Sequence, residues 1–431
     1  MELKRVVVTG LGALTPIGNT YQEYWNGLVN GVSGAAPITL FDATLFKTQF
    51  ACEIKNFNIE DHFDRKEARK IDRCAQLGII AAREAIKHSG ILEDANVNKE
   101  RIGVIWGSGI GGIKTFEEEV SNYATGNGTP RFNPFFIPKM IADITPGHIS
   151  MEFGLMGPNY TTVSACASST NAIIDAYMLL RLGKAEAIVT GGSEAAITAS
   201  SIGGFNALHA LSTRNDDPQT ASRPFDKDRD GFVMGEGAGC IVLEEYEHAI
   251  ARGATIYAEL VGTGMTADAH HITAPHPEGL GALNVMREAL LDANISVEDV
   301  DHINMHGTST PLGDIAESKA IQKLFGEHAY NIQINSTKSM TGHLLGGAGI
   351  VEAISAIGAI NNSIVPPTIN HFTDDENLDP KIDYTFNKAK EKNVDYALSN
   401  TFGFGGHNAC VIFKKYKYCL LYTSDAADDS L

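Results

Sequence analysis

Val163-Ser164-Ala165-Cys166-Ala167-Ser168-Ser169-Thr170-Asn171-Ala172-Ile173 passes from a strand into a helix made of small residues. In the second half of the chain, Thr341-Gly342-His343-Leu344-Leu345-Gly346-Gly347-Ala348-Gly349-Ile350-Val351 does much the same. A helix of Ala, Ser and Gly lets other elements approach to backbone distance on every side, as a central layer between two sheets requires. The pair is read as an internal duplication, with halves at residues 1–254 and 255–415. Two unrelated small-residue helices are the competing reading.

Working outward, short apolar runs read as strands: Val6 to Gly10, Ile102 to Gly107, Ala187 to Gly192, Ile256 to Gly262, His302 to Gly307 and Cys410 to Phe413. Helical patterns such as Ala75 to Ser89 and Leu280 to Ala293 separate most of them. Runs that are apolar throughout suit strands covered on both faces by helices. The class is α/β.

At 431 residues, two core units sharing one body are expected. Lys and Arg number 34 against 52 Asp and Glu, a formal charge of −18 that repels phosphate backbones and sets nucleic-acid binding aside. Met1 to Gly10 holds too short an apolar run for a secretory signal. The longest uncharged stretch, Ala195 to Thr213, is too rich in Gly, Ser, Thr and Asn for a membrane span and reads as buried helix and loop. Cys52, Cys74, Cys166, Cys240, Cys410 and Cys419 form no C-x-x-C pair, so neither a disulfide framework nor a zinc ribbon is expected. A cytoplasmic protein is expected. Residues 416–431 carry no periodicity and read as a non-native or disordered tail, and Asp429-Ser430-Leu431 lacks the helical bundle that a phosphopantetheine serine needs.

Gly107-Ser108-Gly109-Ile110-Gly111-Gly112 has the G-x-G-x-x-G spacing of a dinucleotide-binding turn. The second strand ending in an acid about twenty residues later is missing, which weakens the case for an oxidoreductase. Cys166 opens a helix, where free N–H groups and the dipole favour a thiolate; a buried apolar filler is the plain alternative. His306 ends a strand in His306-Gly307-Thr308-Ser309-Thr310, and His343 sits at a helix start in Lys338-Ser339-Met340-Thr341-Gly342-His343. In a duplicated body these three would converge. A zinc site is the rival use of one cysteine and two histidines, but the spacings match no metal motif. Phe402-Gly403-Phe404-Gly405-Gly406 can present a backbone N–H to a bound oxygen, or be a plain glycine turn.

Taken together, these motifs resemble the thiolase-fold condensing enzymes, and among them the β-ketoacyl-acyl-carrier-protein synthases of the type II kind. Ser222-Arg223-Pro224-Phe225-Asp226-Lys227-Asp228-Arg229-Asp230-Gly231-Phe232 and Gly235-Glu236-Gly237-Ala238-Gly239 add to the resemblance, which runs from Arg5 to about Lys415. It implies a five-layered αβαβα fold of two pseudo-repeated halves, a homodimer, and acyl carrier protein as partner. No metal and no organic cofactor is implied, since phosphopantetheine arrives on the carrier.

The same resemblance assigns roles. Cys166 takes the acyl chain, and the N–H groups of Cys166 and Phe404 hold the oxyanion. Neutral His306 and His343 stabilise the enolate left by decarboxylation of a malonyl carrier. Lys338 is expected to pair with Glu317, and Asp314 and Glu352 to support the site. Thr308 and Thr310 are assigned to the phosphopantetheine arm, with Ile110, Phe402, Asp268 and His271 as further substrate contacts. Ile110 and the loop Gly264 to Thr273 point to the type II kind; a free-standing polyketide ketosynthase and a non-catalytic chain-length subunit are the rivals. Lys66, Arg69, Lys70 and Arg73 would share one helix face that attracts an acidic carrier. The rival there is a solvated helix with internal ion pairs. His209, where relatives often place arginine, puts the strength of that contact in doubt, and His407 replaces a commoner threonine.

Overall fold

The computed structural model describes residues 3–93 and 96–417. Ten strands form its main sheet: Val6–Leu14 (β1), Ile102–Gly107 (β2), Asn159–Thr162 (β3), Ala187–Glu194 (β4), Gly237–Glu245 (β5), Ala258–Ala267 (β6), His302–Asn304 (β7), Gln333–Asn335 (β8), Tyr396–Gly403 (β9) and His407–Lys414 (β10). Their order is β8-β7-β9-β10-β6-β1-β5-β4-β2-β3. Each half contributes five neighbouring strands, and both use one plan. The first strand pairs antiparallel with the fifth and the fifth with the fourth; the fourth, second and third then run parallel. The two sections meet where β1 lies antiparallel to β6, with Val6 opposite Leu260 and Val8 opposite Ala258.

The helices that matter for the site are Arg73–Ser89 (α1), Ile113–Thr125 (α2), Ser168–Arg181 (α3), Ala199–Ala207 (α4), Leu280–Ala293 (α5), Pro311–Phe325 (α6) and Ala348–Asn362 (α7). α3 and α7 pack against each other and against strands of both sections. α1 covers the outer face of the first section, and α5 covers that of the second with α6 against it. This is the five-layered αβαβα body. Strand periodicity sorts the core accordingly: Ile241 and Leu243 of β5 join the central layer, whereas Cys240 and Val242 face α1. The small residues of α3 and α7 have their reason in contact distance, since a Cβ on Gly349 would lie 2.0 Å from Thr170 Oγ1. α1 begins at Asp72, whose carboxylate accepts the Cys74 N–H at 2.8 Å, and ends at Gly90 with φ 61°.

Two local expectations are corrected. The basic segment is not one helix: Arg65–Ala68 forms a single turn, and a fresh helix starts at Arg73. Asp64 caps the first and Asp72 the second, so the chain turns between them. Arg73 then pairs with the buried Glu236 at 2.6 Å and leaves the proposed face. His343 does not start a helix either; α7 begins at Ala348, and His343 N–H donates to Val233 O at 2.7 Å. Of the expected tail, 418–431 lies outside the described residues; Lys417 pairs with Asp395 at 3.2 Å. No helix among the described residues is long and apolar enough to cross a membrane.

Candidate active site

Cys166 sits on a tight turn directly before α3. Ala165 is held at φ 51°, a conformation that costs a non-glycine residue about 1 kcal/mol or more. Ser168 holds the turn: its hydroxyl donates to Ala165 O at 2.6 Å and accepts the Ser164 N–H at 2.9 Å. The Gly403 loop closes over it, and a Cβ there would lie 2.5 Å from Ser164 O. The Phe404 backbone N–H lies near the Cys166 sulfur and favours its thiolate. Despite the helix end, burial pushes the Cys166 thiol up to about 12, with the Lys338 charge only partly opposing. Desolvation thus opposes the thiolate that the helix end favours.

One cavity of about 590 Å³ brings Cys166 together with His306, His343, Ile110, Phe402 and Phe404. The imidazoles of His306 and His343 stand edge to face, 5.3 Å apart at 87°. Phe402 lies 5.5 Å from the His306 ring and Phe232 lies 5.4 Å from the His343 ring. Burial first, and the Lys338 charge second, hold both rings well below the usual imidazole value, so both are neutral. The Nδ1 atoms of both rings are buried and meet no hydrogen-bond partner among the described residues.

Lys338 and Glu317 have separate partners, contrary to expectation. Lys338 forms a buried ion pair with Glu352. Glu317 accepts the N–H groups of His306 and Gly307 at 2.9 and 3.0 Å and the Asn400 amide at 3.2 Å. It fixes the backbone of the catalytic loop, and burial raises its carboxyl to about 7. The reason is topological: Glu317 on α6 faces the end of β7, whereas Glu352 on α7 faces the Lys338 turn.

Thr308 and Thr310 line the cavity with their hydroxyls 3.1 Å apart. Asp268 also lines it and accepts Asn408 Nδ2 at 2.9 Å. Asp314 ion-pairs with Arg229 at 3.3 Å and accepts the Phe225 N–H at 3.0 Å. His271 is corrected: it is exposed, is not among the cavity residues, and caps its own turn by accepting the Thr273 and Ala274 N–H groups at 3.1 Å. His209 does line the cavity. Lys66 and Arg69 are exposed, while Lys70 is tied to Glu67 at 2.7 Å. Among the described residues no set of three or more His, Cys, Asp or Glu side chains is arranged to hold a metal ion.

Sequence reasoning missed Glu194. It resolves the dinucleotide-like loop, because the N–H groups of Gly109, Ile110 and Gly111 converge on its carboxylate. The nest that would cradle a phosphate is occupied by the chain itself. The available signal was an acid ending an apolar strand in Gly191-Gly192-Ser193-Glu194.

Residues 3–249 match the model for the β-ketoacyl synthase N-terminal domain, and residues 257–372 match that for the β-ketoacyl synthase C-terminal domain. The chain belongs to the β-ketoacyl synthase family. It is a condensing acyltransferase. A 3-oxoacyl-[acyl-carrier-protein] synthase 2 of Synechocystis is 51% identical over 419 residues, covering 97% of this chain and 99% of the relative. One from Staphylococcus aureus strain COL is 51% identical over 415 residues, covering 96% and 99%. Among solved structures, a β-ketoacyl synthase from Burkholderia phymatum superposes with TM-score 0.89 at 35% identity, covering 96% of this chain and all of that one. A type II polyketide ketosynthase solved with its acyl-carrier protein gives 0.87 at 32%, with the same coverage.

Proposed function

We propose that this β-ketoacyl synthase elongates fatty acyl chains by condensing a malonyl group on acyl carrier protein with an acyl group held as a thioester on Cys166, giving 3-oxoacyl carrier protein. The carrying observation is that one sulfur and two neutral imidazoles, distant in sequence, line a single apolar cavity. Identity of 51% to 3-oxoacyl synthases, against 32% to the polyketide ketosynthase, favours the fatty acyl substrate.

In the first half-reaction the Cys166 sulfur attacks the acyl thioester. The S–H proton ends on the departing carrier thiol, so one thioester replaces another. The Phe404 N–H and the N–H of Cys166 hold the oxyanion. In the second half-reaction the malonyl carboxylate leaves as carbon dioxide, and its bonding electrons form an enolate. With both Nδ1 atoms buried, Nε2 of His306 and His343 is the nitrogen that offers an N–H to the enolate oxygen. The carbanion attacks the acyl carbonyl, the new C–C bond forms, and the Cys166 thiolate leaves and is reprotonated. No metal or organic cofactor takes part in these steps. The carrier brings phosphopantetheine past Thr308 and Thr310.

The same reading takes the chain as a homodimer. β3 is one of the two edge strands of the sheet, and Phe116, Tyr123, Phe132 and Ile137 lie 43, 45, 42 and 55% exposed. Sedimentation of the purified chain is expected to give twice the monomer mass, and the monomer mass would overturn that assembly.

Purified protein given malonyl carrier and a ladder of acyl carriers is expected to release 3-oxoacyl carrier two carbons longer. Cys166→Ala is expected to lose acyl transfer and keep malonyl decarboxylation. Transfer that survives Cys166→Ala would overturn the assignment.

A further inference from the structure

The carboxylate of Glu194, the last residue of β4, is fully buried, and no ion pair joins it among the described residues. Five donors converge on it instead. Oε2 accepts the N–H groups of Gly109 at 2.8 Å and Gly346 at 3.0 Å. Oε1 accepts the Ser108 hydroxyl at 3.1 Å and the N–H groups of Ile110 and Gly111 at 3.2 and 3.3 Å. The site is built for an acceptor with no donor of its own. An amide would turn its NH2 toward N–H groups and leave them unpaired, so glutamine is a poor replacement.

The donors come from two segments far apart in sequence that touch here, since a Cβ on Gly346 would lie 2.2 Å from Gly109 N. Each segment presents one apolar side chain to the cavity that holds Cys166: Ile110 from the first and Leu345 from the second. Leu345 is held at φ 47°, so its direction depends on the backbone beside it. Ile110 also lines an adjoining open groove with Ile113, Phe116 and Val120. The position of both wall residues therefore depends on one carboxylate.

We propose that Glu194 is a positioning residue for acyl-chain selection, clamping the Ser108–Gly111 loop to Gly346 so that Ile110 and Leu345 set the width of the passage beyond Cys166. The inference deepens the acyl-transfer reading above and rests on it. Its charge has a second consequence, because the Glu194 carboxylate opposes ionisation of the Cys166 thiol.

The test compares the parent with Glu194→Gln and Glu194→Asp as full chains. Transfer from acyl carriers of increasing length onto Cys166 is followed, with the pH dependence of thiol alkylation by iodoacetamide. Parental transfer in the same assay tests the underlying functional reading separately. For Glu194→Gln the expected result is a KM that rises with chain length, about tenfold for long chains and little for short ones. Alkylation should reach half-maximum at lower pH than in the parent, because a neighbouring negative charge is gone. Glu194→Asp, which keeps the charge, should keep the parental alkylation profile. An equal loss at every length, or a folded Glu194→Gln with parental length and pH profiles, overturns the proposal. Should Glu194→Gln not fold, Ser108→Ala removes a single donor and is expected to show the length dependence at a few-fold; a flat profile there overturns it equally.

Discussion

Lys338 and Glu352 form an ion pair in which each side chain is 1% exposed. That pair lies close enough to the chemistry for the ammonium to depress both imidazoles and to favour the Cys166 thiolate. In the proposed mechanism the pair acts through its charge and its packing, and no step calls for proton transfer by Lys338.

Removing one partner strands the other. Lys338→Met should cost about 3–5 kcal/mol of stability, and adding Glu352→Leu should restore most of it. The same substitution should move the acid limb of malonyl decarboxylation up toward the ordinary imidazole value of 6.5, since one cause of the depression is gone. Denaturant melts and a pH–rate profile measure both. An unmoved limb would assign the depression to burial alone.

Glu317 gives a pH signature. Its folded value, about 7, lies above the carboxylate value of 4.5. A raised value means that the folded state holds the proton longer than the unfolded one. The contribution is therefore full below about pH 4.5 and is lost as pH rises through 7. Glu317→Gln has no such slope. The stability gap between parent and variant should narrow from pH 5 to pH 8 by about 3 kcal/mol at most. A constant gap in denaturant midpoints would contradict this.

Ile110→Phe places a ring where the cavity meets the neighbouring groove. Long acyl carriers should lose activity by roughly tenfold or more while short ones remain substrates. Product lengths read by mass spectrometry decide, and an unchanged profile removes Ile110 from the passage.

Lys66 and Arg69 remain exposed although the helix that was to carry them is broken. Reversing both to Glu should weaken carrier affinity mainly at low ionic strength, where a Debye length reaches about 10 Å or more. Titration at two salt concentrations measures this. Equal affinities for parent and variant at both would leave these residues as solvated charges.

The strands and helices were legible because their apolar runs are buried on both faces, as β1 and β5 are along their whole length. The nucleophile and the histidines were legible from motifs that combine a reactive side chain with small neighbours. Partners of buried charges were not. Glu317 and Glu352 are equally plausible for Lys338 in a string of letters, and only the packing of α6 and α7 separates them. The broken basic helix was readable in retrospect: Asp64 and Asp72 both carry N-cap hydrogen bonds, and helical spacing alone took no account of a second start. Glu194 lay hidden because a carboxylate bound mainly by backbone N–H groups has no charged partner to search for.

The repeated strand plan, whose two sections meet in the sheet where β1 lies against β6, distributes the reagents unequally. The thiol belongs to the first section, while both rings and the Phe404 loop belong to the second. Neither portion alone possesses a complete reaction centre. Cutting the connection between Glu245 and Ala258 would part the thiol from both rings and from the Phe404 loop, and turnover would return only with reassociation.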